Sequence, residues 1–146
     1  MGGVLDANVL LYAANADAPE NAAAVELLTR TAASAEVWYL TEGICYEFLR
    51  VSTHPAVFPR PLSAAEALSF LGALLERETF LLLAASARHW KTLGELVAEL
   101  HHPAGNLFFD IRTATLMREH GVRKIYTSDR DYLQFPGVET VDPLAG

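Results

Sequence analysis

The stretch Val4-Leu5-Asp6-Ala7-Asn8-Val9-Leu10-Leu11-Tyr12 constrains the fold more than any other part of the chain. Val4 and Leu5 are too few to form an exposed strand of their own. They fit the end of a strand buried in a parallel sheet, where both faces are covered and no polar alternation is needed. Asn8 to Asn15 then reads as the helix that follows. Asp6 falls at the carboxyl end of the strand, the place where ligands collect in open α/β sheets. The competing reading is that Asp6 only caps the helix.

The rest of the chain repeats this alternation. Asn21 to Ala33 is an Ala- and Leu-rich helix, with Ala22, Val25, Leu28 and Thr29 read as its inward side. Val37 to Leu40 is a short apolar strand, and Thr41 caps a helix running to about Val51. His54 to Pro61 is irregular, broken by Pro55, Pro59 and Pro61. Ser63 with Glu66 has the spacing of a capping box, opening a helix that continues through Leu75. Thr79 to Leu83 is a third strand, and Ala87 to Leu100 a helix ended by His101-His102-Pro103. Asn106 begins a further helix, more as a cap than as a site residue, and Gly121 stops it. Lys124 to Thr127 and Val138 to Val141 are the fourth and fifth strands, the last at an edge. Strands alternating with helices predict one α/β domain over residues 1–146 with a short, mostly parallel sheet of about five strands.

Composition narrows the class. A hydrophobic fraction of 51% with 20% charged residues suits a globular protein. The start has no basic region leading into a long apolar core, and the longest strongly apolar stretch, Phe80 to Ala85, cannot span a bilayer. A cytoplasmic location is expected, with no membrane association. The single cysteine, Cys45, excludes an internal disulfide and a multi-cysteine zinc site. A net charge of -7 opposes simple electrostatic attraction to nucleic acid, but cations held by several of the acids would change that balance.

Four acids stand where chemistry is expected. Ile44, Glu47, Phe48 and Val51 follow i, i+3, i+4, i+7 spacing, which puts Glu47 on an apolar stripe unless it pairs with Arg50. Leu107, Asp110, Ile111 and Ala114 repeat the pattern, while Arg112 faces elsewhere. Asp129 follows the strand Ile125-Tyr126-Thr127 after one residue, as Asp6 follows its own strand. Asp131 has capping-box spacing with Ser128 and is read as structural before it is read as a possible ligand. Four carboxylates sharing a cleft repel one another, and hard divalent cations with oxygen ligands are the ordinary remedy. Mg2+ or Mn2+ suits such a site, and the chemistry that fits is phosphodiester hydrolysis. His101-His102 reads as loop, Trp38 and Trp90 as packing or interface residues, and the chain lacks GxGxxG and P-loop patterns.

These acids, in this order, resemble those of PIN-domain ribonucleases, and most closely the VapC toxins of prokaryotic toxin–antitoxin pairs. The likeness rests on Val4 to Asn8, Tyr46 to Arg50, Gly105 to Asp110 and Thr127 to Tyr132, with Phe135-Pro136-Gly137 and Asp142-Pro143-Leu144 beyond them. It covers essentially the whole chain. The resemblance implies a metal site of Asp6, Glu47, Asp110 and Asp129, supported by Asn8 and Thr127. It also implies a PIN-like three-layer α/β/α domain, Mg2+- or Mn2+-dependent cleavage of RNA, a homodimer, and inhibition by a cognate antitoxin protein that covers the site.

Two other readings compete. One is a catalytically inactive PIN-like module that binds a partner. The other is a phosphotransferase of the haloacid dehalogenase type, whose nucleophilic Asp is usually followed two positions later by a second Asp. Here that position holds Asn8, against the phosphotransferase.

Overall fold

A computed structural model describes residues 2–144. Five strands, β1 (Val4–Leu5), β2 (Trp38–Thr41), β3 (Phe80–Leu83), β4 (Lys124–Tyr126) and β5 (Glu139–Val141), form one sheet in the order β3-β2-β1-β4-β5. Every pairing is parallel. Six helices connect them: α1 (Ala7–Ala14), α2 (Asn21–Ala33), α3 (Glu42–Ser52), α4 (Ala64–Leu75), α5 (His89–Glu99) and α6 (Leu107–Glu119). A single 3-10 turn, Arg130–Gln134, lies between β4 and β5.

The two-residue β1 is the centre of the sheet, with Val4 opposite both Tyr39 and Ile125 and fully buried with Leu5. That is why so short a strand persists: its neighbours supply hydrogen bonds on both edges and its side chains are wholly inside the core. From β1 the chain moves outward through β2 to β3, then returns across the sheet to β4. Right-handed crossovers place α1 to α4 on one face and α5 with α6 on the other. The packing agrees, since α1 touches α2 and α3, α3 touches α4, and α5 lies along α6. The two layers meet where α3 touches α6. Gly2 and Gly3 thread the start of β1 between its neighbours. A Cβ on Gly2 would stand 2.0 Å from the Val37 carbonyl oxygen, and one on Gly3 2.6 Å from that of Lys124.

The capping reading of α4 is borne out in full, with Ser63 and Glu66 each taking the other's backbone N–H. Thr41 accepts the Ile44 N–H and caps α3. Asn106 does not cap: its backbone is already helical and its side chain makes no capping hydrogen bond. The inward side of α2 also differs from expectation, being Ala24, Leu27, Leu28 and Thr31, with Val25 43% exposed. Alanine fills several positions of this helix and gives little contrast between faces, so the larger Leu27 decides the rotation. Among the described residues, no helix is long and apolar enough to cross a membrane.

Candidate functional site

The strand order reverses direction between β1 and β4, and the crevice beyond their carboxyl ends is where an open α/β sheet holds its ligands. Asp6 stands there, 6% exposed, just beyond β1. One of its carboxylate oxygens accepts the Ala7 N–H at 2.8 Å, so Asp6 does cap α1. The other accepts the Thr127 hydroxyl at 2.7 Å and the Asn8 amide at 3.2 Å. The two readings of Asp6 are therefore not exclusive: the cap fixes one oxygen, and the β4 side of the crevice fixes the other.

Asn8 and Thr127 knit this crevice together across 119 residues of sequence. Asn8 donates to the Thr127 hydroxyl at 3.1 Å, and its own amide oxygen takes the Ser128 N–H at 3.3 Å. The Thr127 hydroxyl also accepts the Asp129 N–H at 2.9 Å. A threonine hydroxyl can donate once and accept twice, and Thr127 uses all of that capacity here. Burial pushes the Asp6 carboxyl up from its ordinary pKa; the bonds from Thr127, Ala7 and Asn8 pull it back, and Asp129 pushes it up again.

Asp129 caps the 3-10 turn, accepting the Asp131 N–H at 2.9 Å. This corrects the sequence reading, in which Ser128 and Asp131 form a capping box. Freed of that role, Asp131 presents its carboxylate at the surface. One oxygen each from Asp110, Asp129 and Asp131 lies within 4.8 Å of the others, and among the described residues this is the one such group of acids, histidines or cysteines. Asp131 thus stands closer to the cluster than its expected structural role suggested.

Asp110 lies in the first turn of α6, half-buried. Burial first, then the charges of Asp129, Asp6 and Asp131, push its carboxyl up to about 7. Glu47 is less enclosed than its stripe predicted. Ile44 and Phe48 are buried, but Glu47 itself is exposed, at the edge of the crevice on α3. Partial burial of its carboxyl, with Asp6 and Asp129 nearby, still raises its pKa, while Arg50 lowers it. No ion pair joins Glu47 to Arg50 among the described residues, and Arg112 reaches Glu42 instead, at 3.6 Å. The structure therefore gathers Asp110, Asp129 and Asp131 closely, with Asp6 and Glu47 electrostatically coupled to them. Sequence reasoning passed over Tyr132, a buried residue on the turn that carries Asp129 and Asp131. Its aromatic ring reads as core, and nothing in its spacing marks the hydroxyl.

The donor set is all carboxylate oxygen, with no histidine or cysteine in the group, which fits a hard divalent cation such as Mg2+ or Mn2+ better than zinc. His101 and His102 pair ring to ring at 4.1 Å outside this group.

A family model described as the PIN domain matches residues 3–138. Ribonuclease VapC48 of Mycobacterium tuberculosis is 30% identical over 146 residues, covering 100% of both chains. Ribonuclease VapC43 of the same species is 31% identical over 142 residues, 97% of this chain and 95% of its own. The crystal structure of M. tuberculosis VapC20, described as a sarcin-ricin loop cleaving toxin, superposes with a TM-score of 0.65 at 16% identity, covering 92% of this chain and 97% of its own. VapBC2 from Rickettsia felis, bound to a DNA fragment from its promoter, gives a TM-score of 0.65 at 19% identity, covering 97% and 98%. These two likenesses bear on the fold.

Proposed function

Since the chain belongs to the PIN-domain family, we propose that it is a metal-dependent ribonuclease serving as the toxin of a toxin–antitoxin pair. The observation that carries this reading is the meeting of five acids from four separate segments in one crevice at the switch point of the sheet. Evolution of a fold alone gives no reason to crowd like charges there, since each raises the cost of ionising the others.

In this reading Asp110, Asp129 and Asp131 hold a divalent cation, with Asp6 and Glu47 completing the site. When bound, Mg2+ or Mn2+ would supply charge neutralisation at the phosphodiester and a water of lowered pKa. The chain's own part is to hold the acids in place. Thr127 and Asn8 fix the Asp6 carboxylate in one orientation, and the Asp129 cap fixes the turn carrying Asp131. Fixed ligands need no reorganisation during reaction, which is the main contribution a protein makes to such chemistry.

An antitoxin is the partner this reading requires. Beside Glu47, α3 and α4 frame a groove lined by Tyr46, Leu49, Arg50 and Leu68, with Tyr46 71% and Leu68 58% exposed. An amphipathic antitoxin segment folding into this groove would cover that apolar surface. Entry into the crevice calls for a cation, and an arginine fits best because its planar fork can bind two carboxylate oxygens and keeps its charge. Such an arginine competes with the metal. Asp129→Asn is then expected to weaken antitoxin binding by about 2 kcal/mol, ~30-fold, and added Mn2+ to weaken it in the wild type. Calorimetric titration of the cognate antitoxin reads both; affinity unchanged in each case would mean that the inhibitor covers the crevice without entering it. On the opposite layer, α5 and α6 leave Trp90 82% and Phe109 74% exposed, the surface this reading assigns to a second copy of the chain. The molar mass in solution tests that assignment, and a monomer at assay concentration would refute it.

A further inference from the structure

On α3, Tyr46 stands immediately before Glu47, and Arg50 three residues after it. Residues three and four apart are neighbours on a helix surface, so Arg50 adjoins both Tyr46 and Glu47. Tyr46 is 71% exposed, and its ring meets no other ring among the described residues. The Arg50 side chain is exposed too. Its charge acts on Glu47, but no hydrogen bond or ion pair holds its guanidinium among the described residues. Leu68 of α4, 58% exposed, helps to line the same groove, which has a volume of about 350 Å3. That is in the range of clefts that hold small ligands.

Resting on the ribonuclease reading above, we propose that Tyr46 and Arg50 form a nucleotide subsite beside the metal crevice: an unpaired base of the RNA stacks on Tyr46 in the groove shared with Leu68, and Arg50 takes a phosphate next to that base. An exposed aromatic face, an aliphatic neighbour and an unheld cation are the groups that receive a splayed-out nucleotide. A purely apolar ligand would leave Arg50 unused, and a phosphate alone would leave Tyr46 unused. Bases inside a duplex are stacked on one another and cannot reach the ring, so the substrate is single-stranded where it is cut. Stacking also supplies affinity that a chain of net charge -7 does not get from long-range attraction. Because Tyr46 adjoins Glu47 in the chain, a base held there keeps the neighbouring phosphodiester at the crevice.

The test is the kinetics of cleavage of a randomised single-stranded RNA pool in Mn2+, comparing wild type with Tyr46→Ala, Tyr46→Phe and Arg50→Gln. Tyr46→Ala is expected to raise KM about 10-fold with kcat unchanged, since a stacked base is held equally before and during reaction. Tyr46→Phe keeps the ring and should keep the wild-type KM. Arg50→Gln should lower the slope of log kcat/KM against log salt by about 1, a change that Tyr46→Ala does not make. The same pool annealed to its complement should be a poor substrate. Wild-type KM in Tyr46→Ala, or equal cleavage of the duplex, overturns the subsite and leaves the ribonuclease reading standing. Weaker antitoxin binding by a Tyr46→Ala protein of wild-type KM would give the groove to the antitoxin alone. A fall in kcat and in Mn2+ affinity, in place of the KM effect, also overturns the subsite, because the ring would then be acting through Glu47. A wild type that cleaves no RNA in Mn2+ overturns the subsite together with the ribonuclease reading.

Discussion

Asp110→Asn is expected to reduce RNA cleavage at least about 100-fold while the protein stays folded. Losing a ligand should cost no less than losing one of the groups that orient it, which typically costs 10- to 100-fold. Asn keeps the shape of the side chain and removes the charge that Asp129, Asp6 and Asp131 oppose. The metal-free variant should therefore melt at the wild-type temperature or above it. Cleavage rate against RNA, with thermal melting of the stripped protein, checks both halves. Wild-type cleavage would remove Asp110 from the site, and an unfolded variant would show instead that the carboxylate is needed by the core.

The second large effect concerns the wild type without metal. The Asp110 carboxyl is raised to about 7 in the folded chain from an ordinary 3.8. Between those values the folded state binds more protons than the unfolded state, so stability falls as pH rises. The chelated protein should thus be most stable below about pH 4 as far as this group is concerned, and lose that contribution on the way to neutrality. Asp6 and Glu47, also raised, act in the same direction. Added Mn2+ reverses the loss, because an ion bound only by the native state stabilises it. At 100 times its dissociation constant the gain is about 2.7 kcal/mol. For a chain of this length that corresponds to a rise of about 5–10 °C in melting temperature. Melting curves from pH 4 to 8, with and without Mn2+, measure this. A chelated protein that grows more stable across that range, or one indifferent to Mn2+ at pH 7.5, would contradict it.

The layout of strands and helices was legible because each signal was local. Val4-Leu5 before Asp6, the Ser63–Glu66 box and the apolar run at Phe80 each announce an element within a few residues. What decides among faces is not local. Alanines left α2 free to turn in the reading, and its contact with α1 settles the matter. Glu47 obeys helical spacing, yet it lies beside Asp6 and Asp129 in the middle of α3, so the stripe is buried at Ile44 and Phe48 and wet at the acid. The cap of the turn was misassigned to Ser128 because capping spacing fits two residues of Thr127-Ser128-Asp129-Arg130-Asp131, and only the path of the turn shows that Asp129 takes the Asp131 N–H. The hydroxyl of Tyr132 has no periodic signature at all. Asp110 lies 22 positions earlier in the chain, and only tertiary packing brings Tyr132 near it.

The central claim is that these carboxylates act through a bound divalent cation to cleave RNA. The most direct measurement is the rate of RNA cleavage by the purified, chelator-stripped wild type as Mn2+ or Mg2+ is titrated back, with Asp129→Asn in parallel. Cleavage absent in chelator, restored in a saturable way by either ion and missing from the variant at every concentration is the predicted result. Cleavage that persists in chelator, or that Asp129→Asn carries out as the wild type does, would contradict it.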